Sequence, residues 1–126
     1  MSLSPQMKFN SDFKYDLELG EMAETDLHQM LSEKKIEVKF DRKTKETGNI
    51  FIEFQSRNKL SGISTTQADF WTYYIDDDFC ITISTKKLKE KMKRLLKDKK
   101  AKIVKGGDNN TSKGLLIKVE DLVCQN

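Results

Sequence analysis

From about Leu17 to Ser32 the apolar residues Leu19, Met22, Ala23, Leu27, Met30 and Leu31 recur at steps of three and four. That spacing predicts an amphipathic helix. The period then changes to two: in Ile36-Glu-Val-Lys-Phe-Asp41, the apolar Ile36, Val38 and Phe40 alternate with Glu37, Lys39 and Asp41, which predicts a strand. Arg42 to Gly48 is polar and closes in Thr47-Gly48-Asn49, a turn signature. Alternation resumes from Ile50 to Gln55, with Ile50, Ile52 and Phe54 on one face and Phe51, Glu53 and Gln55 on the other. These two strands are expected to pair as a hairpin.

Beyond the polar loop Arg57 to Ile63, Ser64-Thr-Thr-Gln67 has the form of a capping box and predicts a second helix carrying Ala68, Trp71, Tyr74 and Ile75 on one face. Asp76 to Asp78 ends it, and the β-branched alternation of Phe79 to Ser84 predicts a third strand. Leu88, Met92, Leu95 and Leu96 predict a further helix, after which Ala101 to Val104 and Leu115 to Val119 flank the loop Gly106 to Gly114 as a terminal hairpin. Residues 1–15, polar with scattered aromatics, read as an extended and partly disordered lead-in, which leaves residues 16–126 as a single α/β domain. No internal repeat is visible.

A chain of 126 residues, 37% of them hydrophobic, suits one core rather than two. No run of 18 apolar residues occurs and the first residues lack the apolar centre of a secretory signal, so a cytoplasmic location without a membrane is expected. Cys80 and Cys124 form no CxxC or Cys/His cluster, which argues against a disulfide framework and a structural zinc site. Charge is unevenly spread. Lys86 to Lys105 holds eleven Lys or Arg against Glu90 and Asp98, a local +9 in a chain of net +3. Such a segment can hold phosphates by releasing their counterions, and it can equally be a solvated lysine-rich helix face.

The single histidine, His28, leaves little material for histidine-based catalysis and reads as a surface residue. Gly106 to Gly114 lacks the ending of a P-loop and reads as a connection; Asp76 to Asp78 reads as a solvated turn. Carboxylates on strands are more informative. Asp41 closes the first strand, Glu53 lies in the second, and the expected hairpin would bring their polar faces together. Two oxygen ligands in one cleft suit magnesium, which binds through one or two carboxylates and keeps several waters. Lys39, two residues from Asp41 on the same face, could orient the attacking water and offset charge growing on a phosphate. The bland alternative is a half-exposed hairpin with alternating charges. Glu24 falls within about 20° of Leu31 around the first helix, at the edge of its apolar arc.

The order helix with Glu24, strand with Asp41, strand with Glu53, loop and Ser61-Gly-Ile-Ser-Thr-Thr-Gln-Ala-Asp-Phe-Trp71 resembles the PD-(D/E)xK superfamily of restriction-endonuclease-like and Holliday junction resolvase-like nucleases. Ile36-Glu-Val-Lys-Phe-Asp-Arg42 and Thr47-Gly-Asn-Ile-Phe-Ile-Glu53 are similar to segments of small phage or prophage nuclease-like proteins, and the likeness covers roughly residues 17–122. It implies an α/β core with a central mixed sheet flanked by helices, in a bacterial or phage-infected cell. It also implies a magnesium-dependent DNA endonuclease, with manganese as a substitute, acting on branched or on replication and recombination intermediates. Asp41 and Glu53 would hold the metal and Glu24 would be the helix acid. Phe40 stands where the motif has proline, and Gln55 where it has lysine, so that Lys39 would act as a migrated lysine.

DNA is expected on Lys87, Lys91, Arg94 and Lys97, and on Ser61, Thr65, Thr66 and Gln67 at a helix start whose free N–H groups suit a phosphate. Archaeal resolvase-like relatives act as dimers, which leaves a homodimer open. The rival reading is a DNA-binding or assembly protein of the same fold without catalysis, which Gln55 favours. A third is an interaction module presenting the aromatics Phe70 to Tyr74.

Overall fold

The computed structural model describes residues 6–124, with side chains from Phe13 onward, and divides at Lys34/Lys35 into two compact units. The first holds one 28-residue helix, α1 (Gln6–Glu33). It starts well before Leu17 because Phe9, Phe13 and Leu17 continue the four-residue step and no glycine or proline falls between Gln6 and Leu17. The expected extended lead-in is helical from Gln6, while residues 1–5 of it lie outside the described residues.

The second unit contains two sheets in place of the expected central one. A three-stranded mixed sheet has the order β1-β4-β5, from β1 (Ile36–Phe40), β4 (Phe70–Asp76) and β5 (Phe79–Ser84). An antiparallel sheet has the order β3-β2-β7-β6, from β2 (Asn49–Ser56), β3 (Lys59–Leu60), β6 (Lys102–Gly106) and β7 (Ser112–Lys118). The helices of this unit are α2 (Arg42–Thr47), α3 (Thr85–Lys97) and α4 (Val119–Val123).

The hairpin expected between the first two strands does not form. Asp41 caps α2 by accepting from the Lys43 N–H at 2.9 Å, and Gly48, at φ 72°, ends the helix in the left-handed conformation that glycine adopts without strain. Thr47-Gly48-Asn49 is thus a helix stop instead of a hairpin turn. The intervening helix separates β1 from β2, so β1 runs parallel to β4 with Glu37 opposite Trp71 and Lys39 opposite Tyr73. The tight hairpin lies one strand later: Arg57 and Asn58 both take positive φ, and Ser56 pairs with Lys59 across them.

Residues 70–76 form a strand where a helix was expected. The three- and four-residue steps of Ala68, Trp71, Tyr74 and Ile75 coincide with a run of aromatic and β-branched residues that fits a pleated, half-buried surface. Trp71 and Tyr73 are buried on one face, while on the other the Thr72 and Thr82 hydroxyls meet at 2.8 Å. Phe79 to Ser84, the helix around Leu88 to Leu96 and the terminal hairpin of β6 and β7 form as expected. Ile50 and Ile52 of β2, Leu115 and Ile117 of β7, and Leu88 and Leu95 of α3 make up much of the buried core together with Trp71. No described helix is long and apolar enough to cross a membrane.

Candidate metal and phosphate cleft

The parallel pairing of β1 and β4 controls the chemistry. Because partners in register share a face, Glu37 and Lys39 stand on the same side of the sheet as the buried Trp71 and Tyr73. Glu37 and Lys39 therefore stand over the side that carries the cleft, with nearly half of each side chain still exposed, and Val38 and Phe40 on the opposite face, expected to be buried, are more than half exposed. Lys39 lies with its Nζ 3.1 Å from the Glu37 carboxylate and 5.6 Å from the centre of the Trp71 ring, within cation–π range.

Below them opens a cleft of about 320 Å³ lined by Lys39, Asp41, Glu53, Trp71, Tyr73 and Gly107, among others. Lys39, Asp41 and Glu53 thus meet at one cavity, although by a different route from the expected hairpin. Asp41 stands at the C-terminal end of a strand in the parallel pair, and Glu53 reaches the cavity from the second sheet.

Each carboxylate has one oxygen in use. Asp41 Oδ1 accepts from the Lys43 N–H, and Glu53 Oε2 accepts from the Ser61 hydroxyl at 2.9 Å. Ser61 was expected to contact nucleic acid; its hydroxyl instead orients Glu53, the kind of support that fixes a metal-binding carboxylate. Gly62 makes this approach possible. At φ 55° it lies so close to β2 that a side chain there would collide with the Glu53 carbonyl oxygen and come within 2.9 Å of its carbon.

Gln55 is not part of the cleft. The register of β2 against β7 shifts between Glu53 and Gln55, so the bulge breaks the alternation that would have put both on one face. Gln55 pairs with Lys113 and Leu60 instead, and the position expected for the motif lysine lies outside the cavity lining. Glu24 is an exposed residue of α1, in the first unit. The residues lining the cleft all belong to the second.

Thr65, Thr66 and Gln67 begin no helix. They follow a single turn of 3-10 helix (Gly62–Ser64), and the Thr66 hydroxyl accepts from the Ala68 N–H at 3.1 Å, so they offer no helix N-terminus to a phosphate. They do line a second hollow, of about 430 Å³, which shares Gly62 and Trp71 with the first and adds Lys35 and Glu37. Among the described residues no three Cys, His, Asp or Glu side chains gather as a ready-made metal cage; Asp41 and Glu53 are the two carboxylates that line the cleft.

No family model, curated protein or solved structure matches the chain. The functional reading therefore rests on the cleft and on the sequence motifs.

The basic helix α3 presents its charge unevenly. Lys87, Arg94 and Lys97 are exposed, whereas Lys91 is buried, with Nζ 3.4 Å from the Cys124 carbonyl oxygen. Burial, helped by the nearby charges of Arg94 and Lys87, pushes the Lys91 pKa down. Lys91 thus serves the packing of α3 rather than its charged surface. His28 and the two free cysteines are exposed, and Asp76, the last residue of β4, pairs with Lys45 at 3.1 Å beside the exposed Asp77 and Asp78.

Sequence reasoning missed Trp71 and Tyr73 as wall residues, because their strand was read as a helix. It also missed Thr44, buried beside the cleft, and Gly107, which the loop after β6 brings to it. Thr44 lies in a segment with no apolar period to mark it. Gly107, at φ 71°, carries the usual sign of an unusual backbone, a glycine pair at a strand end.

Proposed function

We propose that this protein hydrolyses phosphodiester bonds of DNA as a magnesium-dependent endonuclease of the PD-(D/E)xK type. The observation that carries the reading is the convergence of Lys39, Asp41 and Glu53 on one cleft. The donor set fits a hard cation, since each carboxylate keeps one oxygen beyond its protein partner and magnesium asks for only one or two such ligands. Bound there, the ion would polarise the phosphate and lower the pKa of the attacking water.

The chain's own residues would do the rest. Asp41, held by the α2 N–H, and Glu53, held by Ser61, set the position of the cation. Lys39 would leave Glu37 and offer its ammonium to the phosphate, where negative charge grows in the transition state. Thr65, Thr66 and Gln67 lie along the adjoining hollow, on a path that a strand leaving the cleft could follow. Lys87, Arg94 and Lys97 would supply sequence-independent backbone affinity. Such an enzyme would work in the cytoplasm of a bacterium or a phage-infected host, alone or as a homodimer.

The deciding experiment incubates the protein with supercoiled, linear, single-stranded and four-way-junction DNA, with magnesium, with manganese and with chelator. Metal-dependent cutting of any substrate, lost in Asp41→Asn and Glu53→Gln, is the expected result. The second reading is a DNA-binding or assembly protein that no longer cuts. It is favoured by Gln55, which stands outside the cleft, and by the N-cap, which gives Asp41 a purely structural use. Retarded DNA without cleavage under every metal condition would support it.

A further inference from the structure

Two buried hydrogen-bond donors in the wall of the cleft have no partner. Trp71 and Tyr73, 2% and 4% exposed, are neighbours on one face of β4, with ring centroids 6.1 Å apart and planes inclined by 26°. Neither Trp71 Nε1 nor Tyr73 Oη makes a hydrogen bond to the described protein, and both atoms are closed to water. A buried donor left unpaired is a standing cost, so each such group calls for an explanation. Both side chains line the cavity that holds Lys39, Asp41 and Glu53.

The chemistry of the pair is one-sided. The indole N–H can only donate. The phenol can donate or accept, but burial, then the charge of Glu37, pushes its pKa up, so it keeps its proton. With the Lys39 ammonium over the indole, the residues on this wall of the cleft offer donors to an anionic oxygen, and the carboxylates Asp41 and Glu53 line the same cleft. A ligand that answers both halves must carry an anionic oxygen and also accept a metal ion.

We propose that Trp71 Nε1 and Tyr73 Oη form an oxyanion pocket that receives a nonbridging oxygen of a phosphodiester, while Asp41 and Glu53 address its other oxygens through the shared cation. The naming of the ligand rests on the nuclease reading; the donor pocket itself rests on the two unpaired groups. Entry of the oxygen requires the half-exposed Lys39 to change partner from Glu37 to phosphate and the cleft wall to part enough to uncover the two donors. Tyr73 is then a binding residue, and its hydroxyl serves the ligand rather than the fold.

Trp71 is the chain's only tryptophan, so its fluorescence reports on the pocket directly. The probes are the dinucleotide thymidylyl-thymidine and its neutral methylphosphonate analogue, each titrated with magnesium present. The dinucleotide should shift the Trp71 emission, the analogue should bind at least about tenfold more weakly, and Tyr73→Phe should weaken dinucleotide binding by about tenfold, the usual scale for a hydrogen bond to a charged group. Without probe, Tyr73→Phe should melt at or above the parent temperature, because an unpaired hydroxyl has been removed. The pocket is overturned if the parent gives no response, if Tyr73→Phe binds the dinucleotide as the parent does, or if that variant melts several degrees lower, which would mean the hydroxyl is already satisfied inside the fold. The two readings separate cleanly. A Tyr73-dependent response in a protein that cuts no DNA keeps the pocket and sinks the nuclease, and cutting by a protein whose Tyr73→Phe variant keeps its dinucleotide affinity does the reverse.

Discussion

Asp41 carries two roles that a set of substitutions can pull apart. As N-cap of α2 its side chain accepts the Lys43 N–H at 2.9 Å, and its carbonyl accepts the Thr44 N–H at 3.0 Å, which leads into the buried Thr44. Removing a capping side chain costs about 1 kcal/mol, with a range of roughly 0.5–2, while asparagine and serine cap about as well as aspartate. Asp41→Ala should therefore lower stability by about 1 kcal/mol, or about 3–5 °C in melting temperature for a chain of this size. Asp41→Asn and Asp41→Ser should stay within a few tenths of a kcal/mol of the parent. Catalysis should follow a different order. All three remove the carboxylate, and losing a metal ligand should cost at least the roughly 10–100-fold seen for outer-shell partners. The assays are thermal melts alongside metal-dependent cleavage of plasmid DNA. If cleavage follows stability, so that Asp41→Asn cuts like the parent and only Asp41→Ala is impaired, Asp41 is a helix cap and the proposed site is wrong.

Gly62→Ala should cost about 2 kcal/mol or more, since a left-handed residue with a side chain costs about 1–2 kcal/mol and its Cβ also collides with the Glu53 backbone; an unchanged melting temperature would refute the close approach. Lys39→Ala should slow cleavage by about 100-fold, the effect of removing one transition-state donor, while Gln55→Lys, placed outside the cleft by the bulge, should fail to restore it. Rescue in the double variant would show that the bulge is not kept in the working enzyme. Replacing Lys87, Arg94 and Lys97 by glutamine should weaken DNA binding and flatten its salt dependence by up to about 0.9 log units for each phosphate no longer neutralised, whereas Lys91→Gln, altering a buried residue, should show mainly as a lower melting temperature. Tyr73, whose pKa is raised above its ordinary 10.0, keeps its proton in the folded state when the unfolded chain has lost it. Its contribution is therefore fully present below pH about 10 and lost as pH rises beyond that. Tyr73→Phe should flatten this alkaline loss in a series of melts, and an identical alkaline profile would contradict the burial of the phenol.

Local pattern was enough for much of this molecule. The helical step of α1, the alternation of β1, β2 and β5, the amphipathic α3 and the hairpin of β6 with β7 were all legible, because each depends on periodicity within a few residues. So were the chemically suggestive residues Lys39, Asp41 and Glu53, since alternation alone assigns them to faces. Tertiary structure decided what those faces meet. The sequence signal for a turn at Thr47-Gly48-Asn49 could not tell a hairpin from the end of a short helix, as glycine in the left-handed region serves both. Nor could the spacing of Trp71, Tyr74 and Ile75 tell a helix from a strand of aromatic residues, and it took pairing with β1 and β5 to settle Phe70–Asp76 as a strand. That pairing put Glu37 and Lys39 on the side of the cleft and Val38 and Phe40 on the other, and it set Trp71 and Tyr73 in the cleft wall. The bulge that takes Gln55 away from Glu53 is likewise a product of register, which depends on the partner strand β7, about 60 residues distant in the chain.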